Sequence, residues 1–452
     1  MIRTPISLAS LALALAASPV GAHEPVQAAR VDAIAAAVSQ ERLRGDIDSL
    51  VGFGTRHTLS EQDDAARGIG AARRWAEREF LKAGEACGGC LTVMTPEKMI
   101  SGNRIDTPVR LVNVLGIQRG TERPDEVVVV SAHIDSRASD VMDWRSEAPG
   151  ANDNGSGTAL VIEAARVLSR HRFPTTIVFA VLSGEEQGLY GGKLLAETAQ
   201  QQGWTVKAVL NNDIVGGSRG SDGMRDEGHV RVFSESFRGD ATDDHLSALR
   251  RQGFSNDTPS RNLSRWIAAL AEDDADAGLA VRQVWRADRM GRGGDQLPMQ
   301  AAGFPAVRFS VAVEDYEHQH QDLRVEDGIT YGDTVDEMDF DYLERVTRLN
   351  VRVLSELART PMPPVAQADV AVRTSTGLSW QAAPGAQGYR IWKRRSDEAR
   401  WQPVRTVPAS ETSAELEGLR GDDWAVGVSA IANGVDSPVA AAVPGGGFYP
   451  LD

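Results

Sequence analysis

A chain of 452 residues, 42% hydrophobic and 25% charged, has the composition of a folded protein and the length of two domains rather than one. A formal net charge of −15 leaves no basic field to gather a phosphate backbone, which argues against nucleic acid as a partner. The chain opens with an address signal: Arg3, then an apolar run from Ile6 to Ala17, then the small residues Val20-Gly21-Ala22 at a plausible cleavage point. That run is too short to span a bilayer, and Pro19 and Gly21 keep it from extending as a helix. A signal peptide over 1–22 is expected, with export to the periplasm or the medium. No later segment is apolar enough to form a transmembrane helix.

Val31 to Gly84 reads as mostly helical, with apolar residues at helical spacing in Val31, Ile34, Ala35 and Val38, and again in Ala71, Ala72, Trp75, Ala76 and Phe80. The only two cysteines come next, as Cys87-Gly88-Gly89-Cys90. With no second pair to complete a thiolate metal site, a local disulfide is the expected state in an exported protein. Strand and helix patterns then alternate. Val127–Val130, Thr175–Leu182, Val206–Leu210 and Ala306–Phe309 read as strands covered on both faces, and Ser156 to Arg170 reads as a helix. The fold expected is α/β, with a mostly parallel central sheet flanked by helices. Gly216 to Gly294 is rich in Asp, Arg, Gly and Ser and is expected to be an elaborated connection over the sheet, with helical patches at His245–Gln252 and Leu263–Leu270.

Pro361-Met362-Pro363-Pro364 reads as a stiff linker, because a helix cannot run through it. Short strand-like runs separated by Gly, Pro and Asp come after it, which predicts a small all-β sandwich. This tail resembles a fibronectin type III module in Leu378-Ser379-Trp380, in Gly388-Tyr389-Arg390-Ile391, and in Leu416-Glu417-Gly418-Leu419 leading to the run Trp424–Ala430. Trp424 stands where such modules usually carry a tyrosine. The expected division is a signal peptide over 1–22, an α/β domain over 23–360, a linker over 361–364 and a β-sandwich over 365–452.

The chemistry-bearing residues sit directly after the predicted strands. His133-Ile134-Asp135 comes after the first, Glu185-Glu186 after the second, Asp213 after the third, and the cluster His318-Gln319-His320 after the fourth. Asp153 lies in a glycine-rich loop opening the Ser156 helix. In an open α/β sheet, ligands bind outside the carboxyl ends of the strands. Each of these residues alone has an ordinary reading: a turn pair for His133 and Asp135, a solvated acidic pair for Glu185 and Glu186, a helix cap for Asp153. Together at one edge they would repel unless cations neutralised them. Two imidazoles and three acids, one acid shared, would give each of two metal ions three protein ligands, and the spare glutamate could serve as general base.

The order His133-x-Asp135, then Gly150-Ala151-Asn152-Asp153-Asn154-Gly155-Ser156-Gly157, then Gly184-Glu185-Glu186-Gln187-Gly188-Leu189-Tyr190-Gly191, then Asn211-Asn212-Asp213 and a late histidine resembles peptidase family M28, and within it the bacterial exported leucyl-aminopeptidase-like members. The resemblance runs from about Asp46 to Leu354. It implies two zinc ions per chain: His133, Asp153 and Asp213 on one, and Asp153, Glu186 and a late histidine on the other. It also implies Glu185 as general base and Asp135 as the carboxylate that hydrogen-bonds His133 and fixes its tautomer. His318 and His320 both qualify as the late ligand; the Gln319-His320-Gln321 context favours His320. Arg292-Gly293-Gly294-Asp295-Gln296 resembles a Gly-Gly-Asp-His stretch of the family, with Gln296 where histidine is usual. The implied activity is hydrolysis of the first peptide bond of peptides with a free N-terminus. Metallo-carboxypeptidases or deacylases, single-zinc glutaminyl cyclases, and an inactive receptor-like scaffold are the alternatives.

Overall fold

The computed structural model describes residues 28–253, 256–274 and 277–451. The expected signal peptide over 1–22 lies outside the described residues. Helices Ala28–Ala35, Gln40–Val51 and Gly68–Ala86 begin them, in the stretch expected to be mostly helical, with a loop over 52–67 between the second and third. Cys87 and Cys90 form the disulfide at the end of the third helix.

The central sheet has eight strands. In spatial order they are Leu91–Met94, Val114–Gln118, Thr175–Leu182, Arg123–His133, Thr205–Asn212, Ala306–Val311, His229–Phe233 and Ala280–Val284. The four strands from Thr175–Leu182 to Ala306–Val311 run parallel, so their carboxyl ends share one edge. These are the strands legible as buried apolar runs. Val128, Val130, Ile177, Phe179, Leu210 and Phe309 point into a large core beneath the N-terminal helices, the Gly157–Leu168 helix and the long Phe340–Arg359 helix. Their neighbours Val127, Val129, Val178, Ala180 and Val209 point the other way, onto Leu195, Ala199 and Met299 of the Tyr190–Gln201 and Gln296–Ala301 helices. Alternation of side chains across a strand requires this two-sided filling.

The Gly216–Gly294 region differs from expectation. Besides helices Asp243–Gln252 and Pro259–Glu272, it contributes the strands His229–Phe233 and Ala280–Val284 to the sheet itself. It therefore extends the sheet as well as covering it. No helix among the described residues is long and apolar enough to cross a membrane.

Beyond Arg359 the chain is all β. A three-stranded sheet (Ala366–Asp369, Thr376–Trp380, Ser413–Leu416) faces a second built on Gln402–Pro408, Gly388–Arg395 and Trp424–Ala432. Leu378, Trp380, Tyr389, Ile391, Leu416 and Val428 fill the space between. Pro361–Pro364 does not behave as an exposed spacer. All four residues are buried, and Met362 packs with Ala440 and Phe448. Proline has no N–H to satisfy, so such a segment can be buried with fewer unmet donors than any other. Just upstream, the buried Lys207 donates to Leu357 O at 3.1 Å and so satisfies a carbonyl at the helix end.

The β-rich tail is fastened to the α/β core by charge as well as by packing. Arg394 Nη2 lies 2.7 Å from both carboxylate oxygens of Asp257, with side-chain exposures of 2% and 0%. Trp266 Nε1 donates to Asp436 O, Trp401 Nε1 to Asn262 Oδ1, and Arg359 Nη2 to Asn433 O.

Candidate metal centre

His133 ends its strand, and the next residue continues the pairing, Ile134 N donating to Leu182 O at 2.7 Å. The imidazole is therefore held on a rigid element and is fully buried. Asp153 is presented by the turn Ala151–Ser156, which opens the Gly157–Leu168 helix and is kinked where Asp153 and Asn154 leave helical backbone angles. Asn154 ties this turn to the neighbouring strand: its Nδ2 donates to Asn212 O, and its Oδ1 accepts from Gly157 N. Gly157 admits no side chain, since a Cβ there would come within 2.3 Å of Asn212 O. Glu185 and Glu186 follow the Thr175–Leu182 strand through Gly184, whose φ of +76° suits glycine. Asp213 follows Thr205–Asn212, its N–H bonded to Phe309 O at 3.1 Å.

These residues converge. His133 Nε2 lies 3.3 Å from Asp153 Oδ1 and 3.7 Å from Asp213 Oδ1. His320 Nε2 lies 3.0 Å from Asp153 Oδ2 and 3.0 Å from Glu186 Oε1. Asp153 thus turns one oxygen to each imidazole, the placement a shared ligand needs. One atom each of His133, Glu185 and Asp213 lies within 4.8 Å of the others, and so do atoms of Asp153, Glu186 and His320. All six side chains line a cavity of about 450 Å³, with Leu189, Leu297, Arg137 and Arg289 on its walls.

The two late histidines point in different directions. His318 Nδ1 bonds Gly332 O at 2.8 Å, and its Nε2 faces Asp315 and Glu337 instead of the cavity. His320 takes the left-handed conformation (φ 55°), which swings its ring to the other side of the loop. His320→Ala should weaken one metal position by at least ~10–100-fold, the range for disturbing even an indirect partner of a ligand. His318→Ala should leave all the converging atoms in place. Titration of the tightly held metal in the two apo variants compares them; equal losses of tightly held metal would contradict this geometry.

The Asp135 carboxylate is turned mainly to partners other than His133. His133 Nδ1 bonds the Asp135 backbone carbonyl at 3.0 Å, while the carboxylate is 3.7 Å away. The carboxylate instead accepts from Glu185 N, Glu186 N and Thr58 Oγ1 at 3.1–3.3 Å. Tautomer control comes from the main chain, and the Asp135 side chain holds the Glu185-Glu186 turn.

Four partners escaped sequence reasoning. Asp333 is buried and accepts Asn152 N at 2.8 Å and Asp153 N at 2.6 Å, clamping the turn that carries Asp153. Burial pushes its carboxyl up to about 7. Gln319 Nε2 donates to Asp153 Oδ2 at 3.0 Å. Arg308 is fully buried, its Nη2 2.9 Å from Asp213 Oδ1 and its Nε bonded to Asp213 O. A charged residue inside the run Ala306-Val307-Arg308-Phe309 was the available signal for it. Asp295, the fourth, accepts Gly192 N at 2.8 Å, and burial pushes it up to about 7. The neighbouring Gln296 bridges Asn211 Nδ2 and Ala287 O.

The electrostatics fit a cationic guest. Burial pushes the Glu185 carboxyl well above its usual range, and the charges of Asp213 and Glu186 add to this. Burial opposes charge on His133, yet bonds to Asp153 and Asp213 hold its imidazole well above the ordinary value. Burial likewise opposes charge on His320, but Glu186 and Asp153 raise it to about 10. The two imidazoles are thus pulled toward carrying the positive charge that the carboxylates demand. A pair of divalent ions would supply that charge and leave the rings neutral as ligands. The 3.3 and 3.7 Å separations around His133 also exceed a charge-assisted hydrogen bond and approach the edge of about 3.3 Å expected between ligands on a tetrahedral zinc. The donor set of imidazole and carboxylate suits zinc.

Comparison with known proteins agrees with this reading. Residues 113–330 match the model of "Peptidase family M28". A probable zinc metalloprotease of Leptosphaeria maculans is 38% identical over 436 residues, covering 94% of this chain and all of that protein. One from Pyricularia oryzae is 40% identical, covering 95% of this chain and 88% of the relative. Among solved structures, the LapA aminopeptidase of Legionella pneumophila superposes with a TM-score of 0.54 at 19% identity, covering 77% of each chain. At that identity the likeness concerns the fold.

Proposed function

Because this chain belongs to peptidase family M28, and relatives matching over nearly its full length are named probable zinc metalloproteases, we propose that it is an exported aminopeptidase working with two zinc ions. The observation that carries the reading is Asp153, which turns one carboxylate oxygen to His133 and the other to His320 beside Glu185. His133, Asp153 and Asp213 would hold one ion; Asp153, Glu186 and His320 would hold the other. Bound zinc supplies Lewis acidity and brings the pKa of water toward neutrality.

The chain's own residues account for the rest. Glu185 takes the proton of the attacking water and returns it to the leaving amine, a role suited to a carboxyl whose proton affinity burial has raised. Asp135 fixes that carboxylate through the Glu185 and Glu186 amides. The surrounding acids favour a substrate ammonium, which selects peptides with a free N-terminus. Export is proposed on the pattern of Arg3, Ile6–Ala17 and Ala22 together with the Cys87–Cys90 disulfide, and a fibronectin type III character is proposed for the β-rich tail.

A panel of aminoacyl-arylamides, each paired with its N-acetylated form, tests the assignment. The free amines should be cleaved, the acetylated ones spared, and a chelator should stop turnover, with two tightly held zinc equivalents in the active protein. Cleavage of acetylated substrates would indicate a deacylase or endopeptidase, and a single tight equivalent would favour the cyclase alternative.

A further inference from the structure

Another cavity of about 410 Å³ shares Asp153 and Gln319 with the one just described and is lined also by Asn152, Asp333, Asp315, His318 and Glu337 among others. Three side chains there offer ligand atoms within 4.8 Å of one another: Asp315, His318 and Glu337. Asp315 and His318 come from the turn after the Ala306–Val311 strand, and Glu337 from the short helical turn Val335–Glu337.

Proton placement constrains this group. His318 Nδ1 is 2.8 Å from Gly332 O. A carbonyl can only accept, so Nδ1 carries the proton, and Nε2 is aimed at Asp315 Oδ2 (3.8 Å) and Glu337 Oε2 (3.4 Å). A neutral ring would point a lone pair at two carboxylates, which repels. The separations instead match those around His133, 3.3 and 3.7 Å, where ligands face a common centre. A histidine whose second nitrogen donates to a main-chain carbonyl is also the usual orientation of a metal-bound imidazole. Asp315 is likewise pre-set as a ligand. Its Oδ1 accepts from Ser221 Oγ and Glu317 N, both at 3.1 Å, leaving Oδ2 for the cluster.

We propose that Asp315, His318 and Glu337 form a further divalent-cation site, separate from the candidate metal centre and completed by water from the adjoining cavity. One imidazole with two carboxylates suits zinc or manganese better than calcium or magnesium, which prefer all-oxygen shells. Glu337 is the exposed member, so the site fills more weakly than the principal centre. Its consequence is structural. Gln319, whose amide reaches Asp153, lies between His318 and His320, so a cation on His318 fastens the turn that presents His320.

The test is a count of bound metal on the full chain by equilibrium dialysis with zinc or manganese. Wild type should take up one weaker equivalent beyond its tight ones. Glu337→Gln and His318→Gln should each lose that equivalent alone. A His133→Ala/His320→Ala double variant, impaired at the principal centre, should keep it. Because the double variant reads this site by itself, the proposal stands or falls separately from the aminopeptidase assignment. Glu337 is exposed on a three-residue turn, so its variant is expected to fold, and thermal unfolding without metal verifies this. An extra equivalent that survives in both single variants, or none in wild type, overturns the proposal and leaves the cluster as an ion-paired histidine.

Discussion

Glu185→Gln should lower kcat by about 10²–10⁴-fold, the usual worth of a general base, while leaving metal content unchanged. Glutamine keeps the size of the side chain and the backbone bond to Asp135, but it cannot accept the proton of water. The measurement that matters is the pair, rate and bound zinc together. Glu185 lies close enough to His133 and Asp213 to be a ligand itself. Loss of an ion from the Glu185→Gln variant would therefore reassign it from base to ligand. Glu186→Gln is the counterpart: its carboxylate contacts His320, and its loss should show first in metal affinity.

Arg394→Ala should destabilise the protein by about 3 kcal/mol, read from the midpoint of denaturant unfolding with the slope unchanged. Breaking a buried ion pair typically costs about 3–5 kcal/mol because the surviving charge is stranded. The low end applies here, since Arg265 remains 3.4 Å from Asp257 as a second partner. Four hydrogen bonds of the Arg394 side chain are deleted, and the two to Asp257 join the Gly388–Arg395 strand to the segment just before the Pro259–Glu272 helix. A loss below about 1 kcal/mol would mean that Asp257 is well solvated without its partner. By the same argument, deleting the chain from Val365 should impair folding before it impairs chemistry. The tail brings none of the converging ligands, but it covers Asp257, Trp266 and Asn262.

The central strands were legible because they are filled on both faces, which writes β-branched and apolar residues in unbroken runs, as in Val127–Val130 and Thr175–Leu182. The residues just beyond those runs were legible for a related reason, since parallel strands deliver their succeeding loops to one edge. The outer strands were not. Ala280–Val284 has no fully buried residue and carries Arg282 and Gln283, so its composition resembles a loop. Asp333 and Gln319 were illegible because each is a single polar residue with no spacing partner in the chain; only folding brings them to Asp153. The choice between His318 and His320 could not be made from alternation, which puts i and i+2 on one face. A left-handed residue at position 320 breaks that alternation.

That left-handed histidine also bears on how the protein experiences a changing supply of zinc. Such a conformation costs a non-glycine residue about 1 kcal/mol, roughly a factor of five in an equilibrium, and His320 is partly exposed, whereas His133 is fixed on a strand and buried. In the proposed pair, the position completed by His320 must recover that strain from its own ion; the position built on His133 and Asp213 starts in place. On that proposal, falling zinc should leave the protein in a half-loaded form with the His133 position filled. Its activity should track the abundance of the metal over a wider range than a single all-or-none site would allow.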